Sequence, residues 1–317
     1  MWQSIWLGGL KTKMEPIAET MSFNKGRLLL LIMTVCLLNA ACGLDQKGMV
    51  LFLDDSYYAT VIGTEKDGFT VADGLLWRQG RLYIADEGGS AFRVWSGEGL
   101  VTTLCDASNG IRSPEDVAID PQGNIFFTDD DTGGVWKINN LGETKQLANK
   151  DQGLISTEGI VLAPDGNLLV GDGETHQIFS VAPDGEVSVL LGPEYGIGKP
   201  ESMVFDDTGN LYIADNDARV VYTLTPDKRL HRTIHNREGF SPETLWFSNG
   251  TLYITDSDDG KLFKYTSEDD LVPIAVFGGK LSKVNGITTD DAGAIYVSIQ
   301  TDLKKKIGYI LKIDQKS

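Results

Sequence analysis

Six oxygen-bearing side chains recur at nearly equal intervals: Asp73, Glu115, Glu158, Glu201, Glu243 and Asn285, each about 42 residues from the next. Each opens a short apolar run, and most follow a proline or small residue, as in Pro114-Glu115, Thr157-Glu158, Pro200-Glu201 and Pro242-Glu243. Carboxylates and amides are hard oxygen donors. If a fold brings them together they repel, and they need a cation, a shared proton, or water and backbone donors between them. Hard donors in that number suit Ca²⁺. The expectation is that all six surround a divalent cation; the alternative is that they cap neighbouring loops around a water-filled channel. A second acid series runs in parallel: Asp86, Asp129, Asp172, Asp215 and Asp256, with Ile299 in the sixth place. An aspartate after every strand more often accepts backbone N–H groups in the following turn, and that is the expectation here.

The elements that position these residues are strands. In one copy, Val117-Ala118-Ile119 is followed by the turn Pro121-Gln122-Gly123-Asn124 and then Ile125-Phe126-Phe127-Thr128; others read Met203 to Phe205, Asp207-Thr208-Gly209-Asn210, Leu211 to Ile213. Short β-branched and aromatic runs split by Gly-Asn and Asp-Gly turns are antiparallel hairpins. Two further runs complete each copy, such as Ile178 to Val181 and Val187 to Leu191. Four strands per repeat and six repeats predict an all-β, six-bladed β-propeller of four-stranded antiparallel blades. The last copy ends one strand short. Tyr57 to Ile62 has the pattern of the missing strand and is expected to close the ring from the N-terminal side, removing two open sheet edges. Innermost strands of a propeller line its channel, so the first acid series is expected to surround one mouth, with no basic ring opposite it.

The formal net charge of −17 argues against nucleic acid and anionic membrane surfaces as partners. A propeller spanning residues 56–317 has core enough to fold without disulfide or metal. Before it, Lys25 and Arg27 precede the apolar run Leu28 to Leu38, and Asn39-Ala40-Ala41-Cys42 follows. That pattern predicts a signal peptide over 1–41, with Met21 the natural start, and lipidation at Cys42. Residues 42–55 then read as a tether, and the protein as a monomeric cell-envelope lipoprotein, periplasmic or outer-surface, touching the membrane only through its anchor. Cys105 would remain as a core thiol.

Departures from the repeat are Asp116, which doubles the acid in the second copy, and the neutral Asn285. His176 lies in a loop on the acidic side, where an exposed histidine is more often incidental. His231 and His235 fall on or after an outer strand. Trp77, Trp136 and Trp246 sit on strands and read as core. Lys304 to Lys306 form either a solvated turn or a basic lid over the mouth.

The run from Ser113 through Pro114-Glu115-Asp116 to Asp129, and Gly209-Asn210-Leu211-Tyr212-Ile213-Ala214-Asp215, resemble the SMP-30/gluconolactonase/LRE-like propellers and the related NHL-repeat propellers. The resemblance covers nearly everything after residue 55. It implies hydrolysis of lactones and related esters, and a divalent cation, commonly calcium, held by a glutamate, two asparagines and an aspartate at inner-strand starts. The family's acid-Gly-x-x-Trp motif is similar to Asp73-Gly74-Leu75-Leu76-Trp77, its Asn-Asp motif to Glu115-Asp116, and its Asn-Gly motif to Asn285-Gly286. By blade order, later ligands fall on Glu158, Glu201 and Glu243. Amides have become carboxylates, so this mouth is more anionic than the family's.

Two functions follow. In the first, the protein is a calcium-dependent hydrolase of a small-molecule lactone or ester, with Glu243 and Asp73 as catalytic candidates and Glu243 activating water. In the second it is a non-catalytic, NHL-like binding propeller whose acidic mouth grips a cationic ligand. A quinone-dependent dehydrogenase is a weaker third, since the mouth offers few basic groups for such a cofactor.

Overall fold

The computed structural model describes residues 50–97, 101–235, 238–266, 271–277, 283–302 and 307–316. The expected signal peptide, Met21, Cys42 and residues 304–306 lie outside these.

Apart from short 3-10 turns, the regular structure of the described chain is strand, arranged in six antiparallel sheets. Blade one runs from its innermost strand, Ala72–Arg78, through Arg81–Asp86 and Ala91–Trp95 to Thr102–Asp106. Blades two to five begin with Pro114–Ile119, Thr157–Leu162, Pro200–Phe205 and Pro242–Ser248 and proceed in the same order. Blade six holds Lys283–Thr289, Ile295–Asp302 and Ile307–Gln315, and its outermost strand is Tyr57–Thr64. The closure is therefore as expected, and it pairs Tyr57 with Gln315 and Thr64 with Tyr309. Each innermost strand touches the next, and Lys283–Thr289 touches Ala72–Arg78, which completes the circle.

One stretch departs from expectation. Val50–Phe52, read as tether, pairs antiparallel with Leu271–Phe277 and makes blade five five-stranded. Val50 and Phe52 pack against the core between blades five and six.

The core lies between blades, because each sheet turns both faces to a neighbour. Phe92 of blade one stacks on Phe127 of blade two at 4.8 Å, and Phe127 on Trp136 at 6.3 Å. Cys105 is buried in the same cluster, and burial pushes its thiol up to about 12, which makes it an inert core residue as expected. Burying each such aromatic contributes about 1.5–3 kcal/mol. Trp136 is core; Trp77 stacks on Tyr296 at 5.0 Å, and Trp246 donates from Nε1 to Thr289 Oγ1 at 3.0 Å.

All six blades share one irregularity. The pairing of innermost and second strands slips just after its first residue, between Ala72 and Leu75, Pro114 and Val117, Thr157 and Ile160, Pro200 and Ser202, Pro242 and Leu245, and Val284 and Ile287. A bulge inserts an extra residue and re-aims a side chain. Each of the six bulges contains a residue of the first acid series, and together they turn those side chains onto one shared cavity.

The residue after each bulged acid joins neighbouring blades. At Gly159 a Cβ would lie 2.6 Å from the carbonyl oxygen of Glu201, and at Gly286 it would lie 2.3 Å from that of Asp73, so only glycine fits. Where a side chain is present it reaches across instead. Asp116 Oδ2 accepts the Ile160 N–H at 3.1 Å, and Ser202 Oγ accepts the Leu245 N–H at 3.1 Å.

Candidate functional site

The six bulges bring together all six residues of the first series. Asp73, Glu115, Glu158, Glu201, Glu243 and Asn285 line one cavity with about 320 Å³ unfilled by protein atoms, counting its open mouth. Asp116, Ser202 and Thr244 line its floor.

Water is largely excluded from the four ring glutamates, and their pKa values rise. Burial, then the Asp73 charge and a hydrogen bond to Asp73, raise Glu115 well above the ordinary carboxylate range. The Glu115 carboxyl therefore lies within hydrogen-bond reach of the Asp73 side chain. Burial drives Glu158 up to about 7 against the pull of Lys199. Burial, then Glu243 and Glu158, raise Glu201, and burial, then Asp73, raise Glu243. Asp116 rises to about 7 through burial, although the N–H groups of Ile160 and Val117 oppose the shift.

Among the described residues no basic ring faces the acids, but two lysines stand at the mouth, and their part in it was not foreseen from sequence. Lys199 Nζ lies 2.8 Å from Glu201 Oε1 and 3.1 Å from Glu158 Oε1. Desolvation works against its charge, but Glu201 and Glu158 outweigh it and raise its pKa. Gly173 makes room: a Cβ there would sit 2.9 Å from Lys199 Cε and 3.0 Å from Glu158 Oε1. Lys283 is a second cation at the rim; desolvation lowers its pKa, but Glu243, Asp73 and Glu201 raise it further. Both lysines stand two residues before a ring residue, where Ser113, Ser156 and Ser241 stand in blades two, three and five. Ser113 Oγ donates to Glu115 at 3.1 Å, and Ser156 Oγ to Glu158 at 3.3 Å. The exchange of serine for lysine was visible in the repeat, but only the fold shows which acids each lysine reaches. Asn216 was likewise missed: its Nδ2 donates to Glu243 Oε2 at 2.8 Å and to Ser257 Oγ at 3.1 Å.

The second acid series builds blades, as expected. Asp172 Oδ2 accepts the N–H groups of Ile155 at 2.6 Å and Ser156 at 3.0 Å, while Oδ1 accepts from Thr175. Asp215 Oδ1 accepts the Lys199 N–H at 2.9 Å and thereby fixes the strand entry from which Lys199 projects. Asp86, Asp129 and Asp256 hold the corresponding segments of their own blades. His176 is exposed, and its Nδ1 contacts the Gly198 carbonyl at 2.7 Å, away from the ring. His231 is on the surface.

Among the described residues no three acids, cysteines or histidines already form a metal cage. The donor chemistry nevertheless fits a hard cation on one side of the ring. Asn285 is 4% exposed, and its Oδ1 is buried with no hydrogen-bond partner among the described residues. An unmet buried acceptor costs about 1–3 kcal/mol. It lines the cavity with the neighbouring carboxyls of Asp73 and Glu115, while Glu158 and Glu201 are already served by Lys199.

A family profile described as SMP-30/Gluconolactonase/LRE-like region matches residues 53–256. The chain belongs to this family. No curated protein sequence matches it significantly. Among solved structures, the gluconolactonase XC5397 from Xanthomonas campestris is 15% identical, with 83% of this chain and 91% of that chain covered and a TM-score of 0.64. Virginiamycin B lyase from Staphylococcus aureus is 13% identical, covering 82% and 100%, with a TM-score of 0.62. A chain of a nidogen/laminin complex is 22% identical, covering 65% and 83%, at 0.55. A gluconolactonase, a lyase and a chain of a nidogen/laminin complex share the fold, so at these identities the likeness shows the fold alone. In this SMP-30/gluconolactonase-like chain, function must be argued from the ring.

Proposed function

We propose that the protein hydrolyses a lactone or ester at the bulged acidic mouth, with a divalent cation, best Ca²⁺, as cofactor. One observation carries the reading: the orphaned Asn285 Oδ1 shares a cavity with the oxygen donors of Asp73 and Glu115, and burial and the Asp73 charge hold the Glu115 carboxyl above its ordinary range. Asp73, Glu115 and Asn285 would hold the cation, with Glu243 in the blade next to Asn285. When bound, it would supply Lewis-acid polarisation of the substrate carbonyl.

The chain's own residues supply the rest. Burial, then the Asp73 charge, raise Glu243 above its ordinary value, a direction that strengthens a carboxylate as general base toward water. Asn216 holds Glu243 Oε2 and so fixes the orientation of that carboxylate. The narrow ring limits water beside the reacting group. Membership of the family supports this reaction class. The test is metal content of the purified protein together with a screen of lactones and aryl esters. Turnover that is lost on chelation and restored by Ca²⁺ is expected; metal-free protein with no turnover on any of them contradicts the reading.

A second reading is a binding propeller displayed on the cell envelope, its acidic mouth taking a cationic ligand. Lys199 favours it, because it shows that an ammonium group already satisfies part of this ring.

A further inference from the structure

We propose that Lys199 is a built-in cation of the ring: it fills the position between Glu158 and Glu201, so the mouth accepts a single divalent cation, confined to the side of Asp73, Glu115 and Asn285. This rests on the cation reading above and divides the ring between two kinds of cation.

The geometry supports the division in three ways. The Lys199 ammonium bridges one oxygen of each glutamate, at 3.1 Å and 2.8 Å, so Glu158 and Glu201 act as a pair with a counter-charge between them. Their side chains are 7% and 10% exposed, which makes that counter-charge necessary and not a solvated surface contact. The lysine is also held in place. Asp215 anchors its backbone N–H at 2.9 Å, and the absence of a Cβ at Gly173 leaves the path its Cε occupies. Opposite, the cavity wall contains the acceptor without a partner, Asn285 Oδ1, which an ammonium tethered in blade four does not satisfy. One half of the ring is complete as it stands; the other half, with Lys283 at its rim, is a donor set that keeps an unmet acceptor.

Removing the ammonium leaves the complete half without its counter-charge. In Lys199→Met, Glu158 and Glu201 face each other without a counter-charge, and a divalent cation can take the place of the lysine. Calorimetric titration with Ca²⁺ is the test, on wild type, Lys199→Met and Lys199→Arg, each checked for fold by circular dichroism. The expected result is one site in wild type and Lys199→Arg and a second site in Lys199→Met. Equal site numbers in wild type and Lys199→Met overturn the proposal. Binding to Lys199→Met alone upholds the role of Lys199 while rejecting the cation reading of the native protein. No binding to any of them rejects both. Should Lys199→Met fail to fold, Glu201→Gln decides: wild-type affinity within about threefold supports the division, and a loss beyond about tenfold contradicts it.

Discussion

Asp116 in blade two accepts the backbone N–H of Ile160 in blade three at 3.1 Å, and with its other oxygen it accepts its neighbour Val117 N–H at 2.8 Å. The acid that doubles Glu115 is thus a strut between blades at the floor of the ring. Asp116→Asn replaces one acceptor oxygen by a donor facing an N–H. It is expected to cost about 1–3 kcal/mol in urea unfolding. An unchanged midpoint and slope would show that the bridge does not matter to stability.

Stability should rise as pH falls from about 8 toward about 5, the reverse of ordinary acid denaturation. Glu158 and Asp116 titrate at about 7 and Asp256 at about 6 in the folded protein, from ordinary values of 4.5, 3.8 and 3.8. The folded state therefore binds more protons than the unfolded chain across that window, and stability is lost as pH climbs through the folded values. Lys199, raised above its ordinary 10.5, stays charged throughout. Melting followed by circular dichroism should shift upward by several degrees on acidification. A fall over the same range would mean that the ring is already neutralised.

Closure by Tyr57–Thr64 protects the edge of Ile307–Gln315. A chain beginning at Asp73 leaves that edge bare and removes the cover from the blade-six core. It is expected to aggregate, as read by light scattering. A monomer that melts at the same temperature would refute the role given to this strand.

Cys42→Ala should move the protein from membrane to soluble fractions without altering its melting, since Ala40-Ala41-Cys42 follows a short apolar run. Finding the wild-type protein wholly soluble in its native cell would exclude the anchor.

Much of the fold was legible because the acid series marks the same bulged place in every repeat. The pattern of Tyr57 to Ile62 disclosed the closing strand for the same reason: the last copy lacked one. Val50–Phe52 was not legible, since three apolar residues carry no period. Nor were the bulges, because an extra residue within an apolar run changes neither composition nor spacing enough to notice. At the site, the six ring residues were readable from position alone. Lys199 was not, because its role depends on a side chain crossing from blade four to Glu158 of blade three, and no linear pattern encodes that reach.

The central claim is that Asp73, Glu115 and Asn285 form a site for a divalent cation. Its most direct measurement is calorimetric titration of metal-stripped protein with Ca²⁺, alongside Asn285→Ala. Wild type should bind and gain melting temperature with added Ca²⁺ by mass action. Asn285→Ala should keep its fold and lose affinity by about tenfold or more. No heat of binding, with melting indifferent to Ca²⁺ and to chelator, would contradict the claim and leave the binding propeller as the better account.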